Sequence, residues 1–185
     1  MRKSLFTLAP AALLLMSVAG ISNAADNAVI TVQGNIQAAT CDVTSSTSLL
    51  DLGTHKPAAF TAAGAKTPVP ASTKGFTLHL SNCDVATDTV AHTASLIIDG
   101  NTLFGNNNIF SDDATGGYGV MFNKASETTY FDAGTEIEVA KTSDTPAPGD
   151  LNGKILSMEA SLAGLTATPG TGRMKAPVSF QFAYN

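Results

Sequence analysis

Residues 28–36 read Ala-Val-Ile-Thr-Val-Gln-Gly-Asn-Ile, a stretch in which apolar and polar positions alternate. Ala28, Ile30, Val32, Gly34 and Ile36 fall on one face, and the opposite face is mostly polar. Successive side chains of a β-strand point to opposite faces, so the pattern predicts a strand with one apolar face. Once the leader described next is removed, this strand lies at the N-terminus, where a segment frays unless something holds it. It therefore either begins the protein's own sheet or is offered to another chain.

Residues 1–24 have the three parts of a secretory signal peptide. Arg2 and Lys3 form its charged region, residues 5–18 its apolar region, and Ser22-Asn23-Ala24 a cleavage motif of small residues. The alternative is a membrane anchor, but a span needs about 20 apolar residues and this run is shorter. We expect export and cleavage after Ala24.

The mature chain, residues 25–185, has the length of one domain. Loss of Arg2 and Lys3 leaves eight of the ten basic residues against 15 acidic ones, a net charge of −7. A negative charge of this size is unfavourable for binding nucleic acid or anionic membrane surfaces. It favours solubility, and we expect no nucleic acid among the partners.

Cys41 and Cys83 are the only cysteines of the chain. An even number of cysteines in an exported protein predicts a disulfide, and with two cysteines the pairing is fixed. Closing a loop of about 43 residues would contribute roughly 4 kcal/mol to the free energy of unfolding. A zinc site is disfavoured because His55, His79 and His92 show no ligand spacing with either cysteine.

The remaining sequence patterns are almost all of strand type. Residues 154–165 are long enough for a helix, but their apolar positions recur every second residue, which fits a strand better. Clusters of Gly, Pro and Asn separate the segments, and residues 61–73 are expected to form a long loop or edge. Short strands without a long amphipathic helix predict an all-β sandwich. The predicted strands cover residues 75–83, 93–99, 118–122, 136–139, 154–165 and 176–185.

No set of residues in the sequence points to catalysis. Asp112-Asp113 could be a carboxylate pair or a calcium ligand, but the Gly- and Asn-rich context favours a solvated turn. Residues 116–119, Gly-Gly-Tyr-Gly, lack the following helix that an anion site would need, and no Gly-x-Ser-x-Gly motif is present. We therefore expect a protein that is not an enzyme and uses no cofactor or metal.

Several short motifs, each weak alone, occur in a fixed order along the mature chain. They are Gly34 within the alternating stretch, residues 35–41 ending in Cys41, Asp51-Leu52-Gly53, Gly75-Phe76-x-Leu78-x-Leu80-x-x-Cys83, and the C-terminal series Gly172, Ala176, Phe180 and Tyr184. Together with the signal peptide and the two cysteines, this ordered set resembles the type 1 and P pilus subunits of the chaperone–usher pathway. The resemblance covers essentially the whole mature chain.

The resemblance implies an incomplete immunoglobulin-like β-sandwich that is completed by a strand donated from a neighbouring subunit. Residues 25–37 would be the donor-strand extension and residues 38–185 the pilin domain, with Cys41 and Cys83 as the family's disulfide. The donated face would carry Ala28, Ile30, Val32, Gly34 and Ile36. The groove edge, which a chaperone also contacts, would carry Val178, Phe180, Phe182, Tyr184 and Asn185, whose carboxylate would anchor the chaperone.

The same resemblance implies a structural subunit of a bacterial surface fimbria that supports cell adhesion. Its partners would be other pilin subunits in a head-to-tail polymer, a periplasmic chaperone and an outer-membrane usher, with host surfaces contacted through the assembled fibre. It would be exported through the periplasm to the cell surface.

Two other classes of protein are alternatives. One is an adhesive binding module at the fibre tip, although tip adhesins of this family carry an extra lectin domain and lack a donor extension. The other is a self-complete secreted sandwich, either an enzyme or a carbohydrate-binding protein, which would need a site that the sequence does not reveal.

Overall fold

Seven antiparallel β-strands make up most of the regular structure in residues 40–84, 93–141 and 151–184, the parts of the chain that the computed structural model describes. In these described ranges they are accompanied by the α-helix α1 and by a 3-10 helix. The elements are β1 Thr40–Ser45, α1 Pro57–Ala63, the 3-10 helix Pro70–Ser72, β2 Lys74–Asp84, β3 Thr93–Gly100, β4 Tyr118–Lys124, β5 Glu136–Lys141, β6 Ile155–Gly164 and β7 Val178–Tyr184.

The strands form two sheets that pack face to face. Sheet A has the order β1-β2-β6-β4, and sheet B has the order β5-β3-β7. Leu78 and Leu80 of β2 and Met158 of β6 meet Leu96 and Ile98 of β3 in one core, and all five are at most 1% exposed. The predicted all-β sandwich is confirmed.

Six of these strands coincide with segments predicted from sequence alternation. Residues 154–165 are the most informative, because they contain a strand, β6, rather than a helix. Met158, Ala160 and Leu162 of β6 share the core with β2 and β3. The two-residue period thus predicted the secondary structure correctly, since only a strand places these three side chains on one face.

The expectation of a loop or edge over residues 61–73 holds only for residues 64–69, which bond to the end of β6, because α1 ends at Ala63 and the 3-10 helix begins at Pro70. Pro57 occupies the first turn of α1, where its missing N–H would have no partner in any case. Gly64 ends the helix with φ of 96°, a conformation that other residues rarely adopt. Phe60 is buried in the core, so a single aromatic side chain fixes this short helix.

A loop between β3 and β4 covers the outer face of sheet A. Leu103 and Ile109 of this loop form a second buried cluster with Met121 and Ala163. Gly119 permits the close approach, because a Cβ at that position would collide with the main-chain oxygen of Phe110. In the described part of the chain, no helix is long and apolar enough to cross a membrane.

Candidate functional site

The C-terminal strand β7 forms an edge of sheet B. Among the described strands it pairs with β3 alone. Ser179 and Gln181 on its outer face are exposed, as expected for a surface strand. The core-side row, which the sequence predicted as a groove edge, is only half-buried although it packs against the core: Val178, Phe180, Phe182 and Tyr184. An apolar row at a sheet edge that its own fold covers incompletely is a candidate binding surface.

Strand β1 forms an edge of sheet A and lies against β7. It was not predicted from the sequence, because Cys41 and Val43 are its only apolar side chains. Among the described strands it pairs with β2 alone. β1 and β7 therefore leave two strand edges on the same side of the sandwich, which we call the open side. A strand edge of this kind can pair with an added strand.

A cavity of about 1360 Å³ opens beside β7. Residues 45–55 border it on one side and residues 169–178 on the other. Its floor is apolar and comes from both sheets: Phe76, Tyr118, Val120, Phe122, Ala160, Leu162 and Phe180. We call this cavity, together with the half-buried row of β7, the groove. A concavity lined mainly by hydrophobic and aromatic side chains is typical of a binding site.

Aromatic side chains form the centre of the groove floor. The ring centroid of Phe180 lies 6.0 Å from that of Phe76 and 6.3 Å from that of Phe122. Phe76 and Phe122 are themselves 6.2 Å apart, and Phe110 packs against Phe122 at 5.4 Å. Such aromatic pairs contribute about 0.5–1.5 kcal/mol each beyond their buried area. They connect the edge strand β7 to sheet A.

Two main-chain segments border the groove, and one of them leads into β7. Asp112 and Lys175 exchange two hydrogen bonds there: Asp112 N donates to Lys175 O at 2.7 Å, and Lys175 N donates to Asp112 Oδ1 at 3.0 Å. A Cβ on Gly172 would come within 2.7 Å of the Tyr118 hydroxyl, so a larger residue there would have to displace the end of the Tyr118 side chain. These contacts hold residues 172–175 against the body of the sandwich.

The opposite border is the loop after β1. Its first residue, Ser46, exchanges two hydrogen bonds with Thr77 of β2. Its further hydrogen bonds are short-range: Gly53 N donates to Asp51 Oδ1 at 2.8 Å, and the His55 ring lies 2.8 Å from Leu52 O. Leu52 is half-buried against the core, whereas Leu49 is 83% exposed at the edge of the cavity. Sequence reasoning missed this border, because a loop held by local turns has no periodic pattern.

The predicted disulfide is present and joins β1 to β2, with the Cα atoms of Cys41 and Cys83 4.1 Å apart. Asn152 binds the same part of β2 through its side-chain amide. Its Oδ1 accepts a hydrogen bond from Cys83 N at 2.8 Å, and its Nδ2 donates to Cys83 O at 3.3 Å. The Asn152 side chain thus adds two hydrogen bonds to β2 just before β6 begins. They lie next to the disulfide that joins β1 to β2.

The other sequence candidates for chemistry do not form a site. Asp113 lies in an exposed turn, where hydrogen bonds from the Thr115 hydroxyl and main chain lower the pKa of its carboxyl. His55 borders the groove, His79 is exposed on β2, and His92 lies outside the described residues. No cluster of His, Cys, Asp or Glu in the described ranges could hold a metal ion.

The predicted donor face and the C-terminal anchor cannot be located in the same way. Ala28, Ile30, Val32, Gly34 and Ile36 lie outside the described residues, as does Asn185. Their roles remain predictions. Of the residues predicted for this interaction, the structure describes Val178, Phe180, Phe182 and Tyr184, which lie beside the groove.

Comparisons with known proteins agree with this geometry. A type-1 fimbrial protein subunit from Serratia marcescens is 35% identical over 114 residues, which cover 60% of this chain and 58% of that protein. The match thus spans less than two thirds of the relative's length. No family model matches the chain.

Among solved structures, the P pilus rod subunit PapA aligns with a TM-score of 0.52 at 18% identity, covering 85% of this chain and 99% of that one. A chaperone–usher pilus aligns with a TM-score of 0.49 at 18% identity, covering 87% of this chain and 97% of that one.

The fold and the groove together define an open β-sandwich of the pilus-subunit type. The chain has the fold of a P pilus rod subunit and is a sequence relative of a type-1 fimbrial subunit. The family resemblance inferred from the ordered motifs is confirmed.

Proposed function

We propose that this protein is a structural subunit of a bacterial surface fimbria that polymerises by donor-strand exchange. The observation that carries the proposal is the half-buried apolar row of β7 beside an apolar cavity of about 1360 Å³. A groove of this kind is suited to an extended segment that pairs with the strand edge and inserts alternate side chains. The fimbrial relative favours a structural subunit over an adhesive module at the tip.

The proposed occupant is residues 28–36 of a neighbouring copy. At about 3.3 Å per residue, this nine-residue segment spans roughly 30 Å and β7 about 23 Å, so the segment is long enough to cover the edge. Burial of Ile30, Val32 and Ile36 would contribute about 1.5–3 kcal/mol each. Each new main-chain hydrogen bond adds a net ~1 kcal/mol. The total is on the order of 10 kcal/mol before ordering costs, so no nucleotide is needed.

Donor and groove lie at opposite ends of the chain, so each contact is head-to-tail and the assembly extends into a fibre. Until a neighbour fills the groove, the exposed apolar surface favours aggregation. A periplasmic chaperone would cover it, with the Asn185 carboxylate as an anchor, and an outer-membrane usher would direct exchange. The signal peptide, residues 1–24, would start this route to the cell surface. The role is non-enzymatic and uses no cofactor.

Fusion of a donor peptide to the C-terminus tests the proposal. The mature chain, residues 25–185, is expressed with and without a flexible linker and a second copy of residues 28–36 after Asn185. The control peptide carries aspartate at the positions of Ile30, Val32 and Ile36, which keeps the main chain but prevents apolar burial. The mass in solution and the midpoint of thermal unfolding are measured for all three proteins.

The fused donor should give a stable monomer, while the mature chain and the aspartate control aggregate, polymerise or fold poorly. The opposite result is a mature chain that unfolds reversibly as a monomer, with its own residues 28–36 completing the sheet. That outcome would remove the basis of the proposed polymerisation.

A further inference from the structure

The side of the sandwich opposite the groove has two strand edges of its own, β4 in sheet A and β5 in sheet B. We call this the far side. Edge β4 is covered by main chain: Phe110 and Val120 exchange two hydrogen bonds of 2.8 Å, and Phe131 N donates to Phe122 O at 2.9 Å. An added strand therefore finds the middle of β4 already paired.

Edge β5 is protected differently. Among the described strands it pairs with β3 alone, so no strand covers its other edge. The Lys124 side chain reaches it from the end of β4, and its Nζ donates to the main-chain oxygen of Glu138 at 3.0 Å. Glu136 and Glu138 present exposed side chains on either side of the buried Ile137.

These charges matter because an open strand edge is a template for any extended apolar segment. Natural sheets prevent such pairing with charged side chains, lysine in particular, placed on the edge strand. A strand adding to β5 would have to displace Lys124 from Glu138 O and lie beside two carboxylates. β7 presents no such obstacle, since its sequence, Val-Ser-Phe-Gln-Phe-Ala-Tyr, contains no charged residue.

We infer, on the basis of the proposed function, that Lys124, Glu136 and Glu138 exclude strand addition at β5. The excluded partner is the same extended apolar segment, residues 28–36 of a second copy, that the groove receives. These three residues thereby direct the incoming strand to β7. A subunit then accepts a strand on its open side alone, and its polymer is linear and unbranched.

The test uses the donor-fused protein, in which the groove beside β7 is already filled. The variant combines Lys124→Met, Glu136→Thr and Glu138→Thr, which removes the charges and keeps a strand-forming sequence. Two measurements are made: solution mass by light scattering, and binding of a labelled synthetic peptide with the sequence of residues 28–36. Hydrogen exchange of residues 136–141 reports where any new pairing occurs.

The matched control combines Lys154→Met, Asp84→Thr and Glu127→Thr, which makes the same change in net charge at exposed positions outside β5. A second control, Lys124→Arg with both glutamates kept, preserves a cationic donor near Glu138 O. Both controls should stay monomeric and leave the peptide unbound.

The triple variant should shift from a monomer to dimers or larger species, bind the peptide, and gain exchange protection in residues 136–141. A folded triple variant that stays monomeric and does not bind the peptide would overturn the inference. If the triple variant does not fold, the single variant Lys124→Met is tested instead. The same three measurements, solution mass, peptide binding and hydrogen exchange, then support or overturn the inference. Failure of the fused donor to give a monomer would instead count against the proposed function.

Discussion

The two sides of this sandwich differ in what covers the edges of their outer strands. On the far side, loop main chain covers β4, and Lys124 contacts β5 through the Glu138 carbonyl. On the open side, β1 and β7 flank an apolar cavity, and β7 carries no charge. The same architecture thus combines strand edges that main chain or a lysine contacts with an edge that lies beside an apolar cavity. Under the function and the inference proposed above, the open edge is a built feature, because the chain protects its other edges.

The largest effect on strand addition at the open side is expected from a larger residue at Gly34 of the donor segment. Gly34→Leu should leave a folded subunit that the chaperone keeps soluble, but that fails to add to a growing fibre, because the predicted role of Gly34 is a position where two main chains approach closely. Thr31→Leu, on the opposite face of the same segment, is the control and should still assemble. Electron microscopy of cell-surface fibres measures the outcome, and normal fibres with Gly34→Leu would refute the assigned role of this glycine.

Phe122 belongs to both sides, since it lies on β4 and also forms the groove floor. Phe122→Ala removes ring contacts with Phe76, Phe110 and Phe180 and should lower the free energy of unfolding by about 3–5 kcal/mol. Chemical denaturation of the donor-fused protein measures this free energy of unfolding. Phe104→Ala is the control, because Phe104 is 86% exposed and its loss should change stability by at most about 0.5 kcal/mol. Equal effects of the two substitutions would contradict the predicted role of Phe122.

Gly119→Ala tests the covered edge of the far side. The added methyl would collide with the Phe110 main chain and with Ile109, so the loop must move away from β4. We expect the free energy of unfolding to fall by about 1–3 kcal/mol, as at other overpacked sites, when it is measured by chemical denaturation of the donor-fused protein. Gly75→Ala, also in a strand, is the control, since the nearest atom to its Cβ would be 3.8 Å away. A neutral Gly119→Ala would mean that the loop does not depend on this close approach.

The smallest effect is expected at Asn152, near the disulfide of the open side. Asn152→Asp keeps the acceptor for Cys83 N but replaces the donor to Cys83 O with a carboxylate oxygen. The substitution should lower the free energy of unfolding by about 1 kcal/mol, close to the net contribution of one hydrogen bond. Asn107→Asp makes the same chemical change at an exposed position and serves as the reference. Stability unchanged in both variants would remove the amide's assigned role.

Much of the fold was predictable because strands leave a direct trace in the sequence. Alternation identified β6 as a strand, and the same rule placed Phe180 and Phe182 on one face of β7. β1 escaped prediction because two apolar side chains give too short a pattern, and its position is fixed by pairing with β2 and by the disulfide. α1 escaped because one buried residue, Phe60, anchors it.

The groove itself was only half predictable. Periodicity shows which side chains of a strand face inward, so the core-side row of β7 was correctly identified. It does not show that Phe76 and Phe122, on two other strands, meet Phe180 in one floor, because that depends on sheet order. Nor does it reveal the contact from Lys124 to the Glu138 main chain, since a carbonyl has no sequence signature.

The position of the disulfide has a mechanical consequence. Cys41 is the second residue of β1, so a pulling force that enters the domain from residues before Thr40 meets a covalent bond almost at once. The load passes through Cys83 into β2, at the centre of a four-stranded sheet. β1 cannot be peeled away one hydrogen bond at a time from that end, and the domain resists tension as a unit.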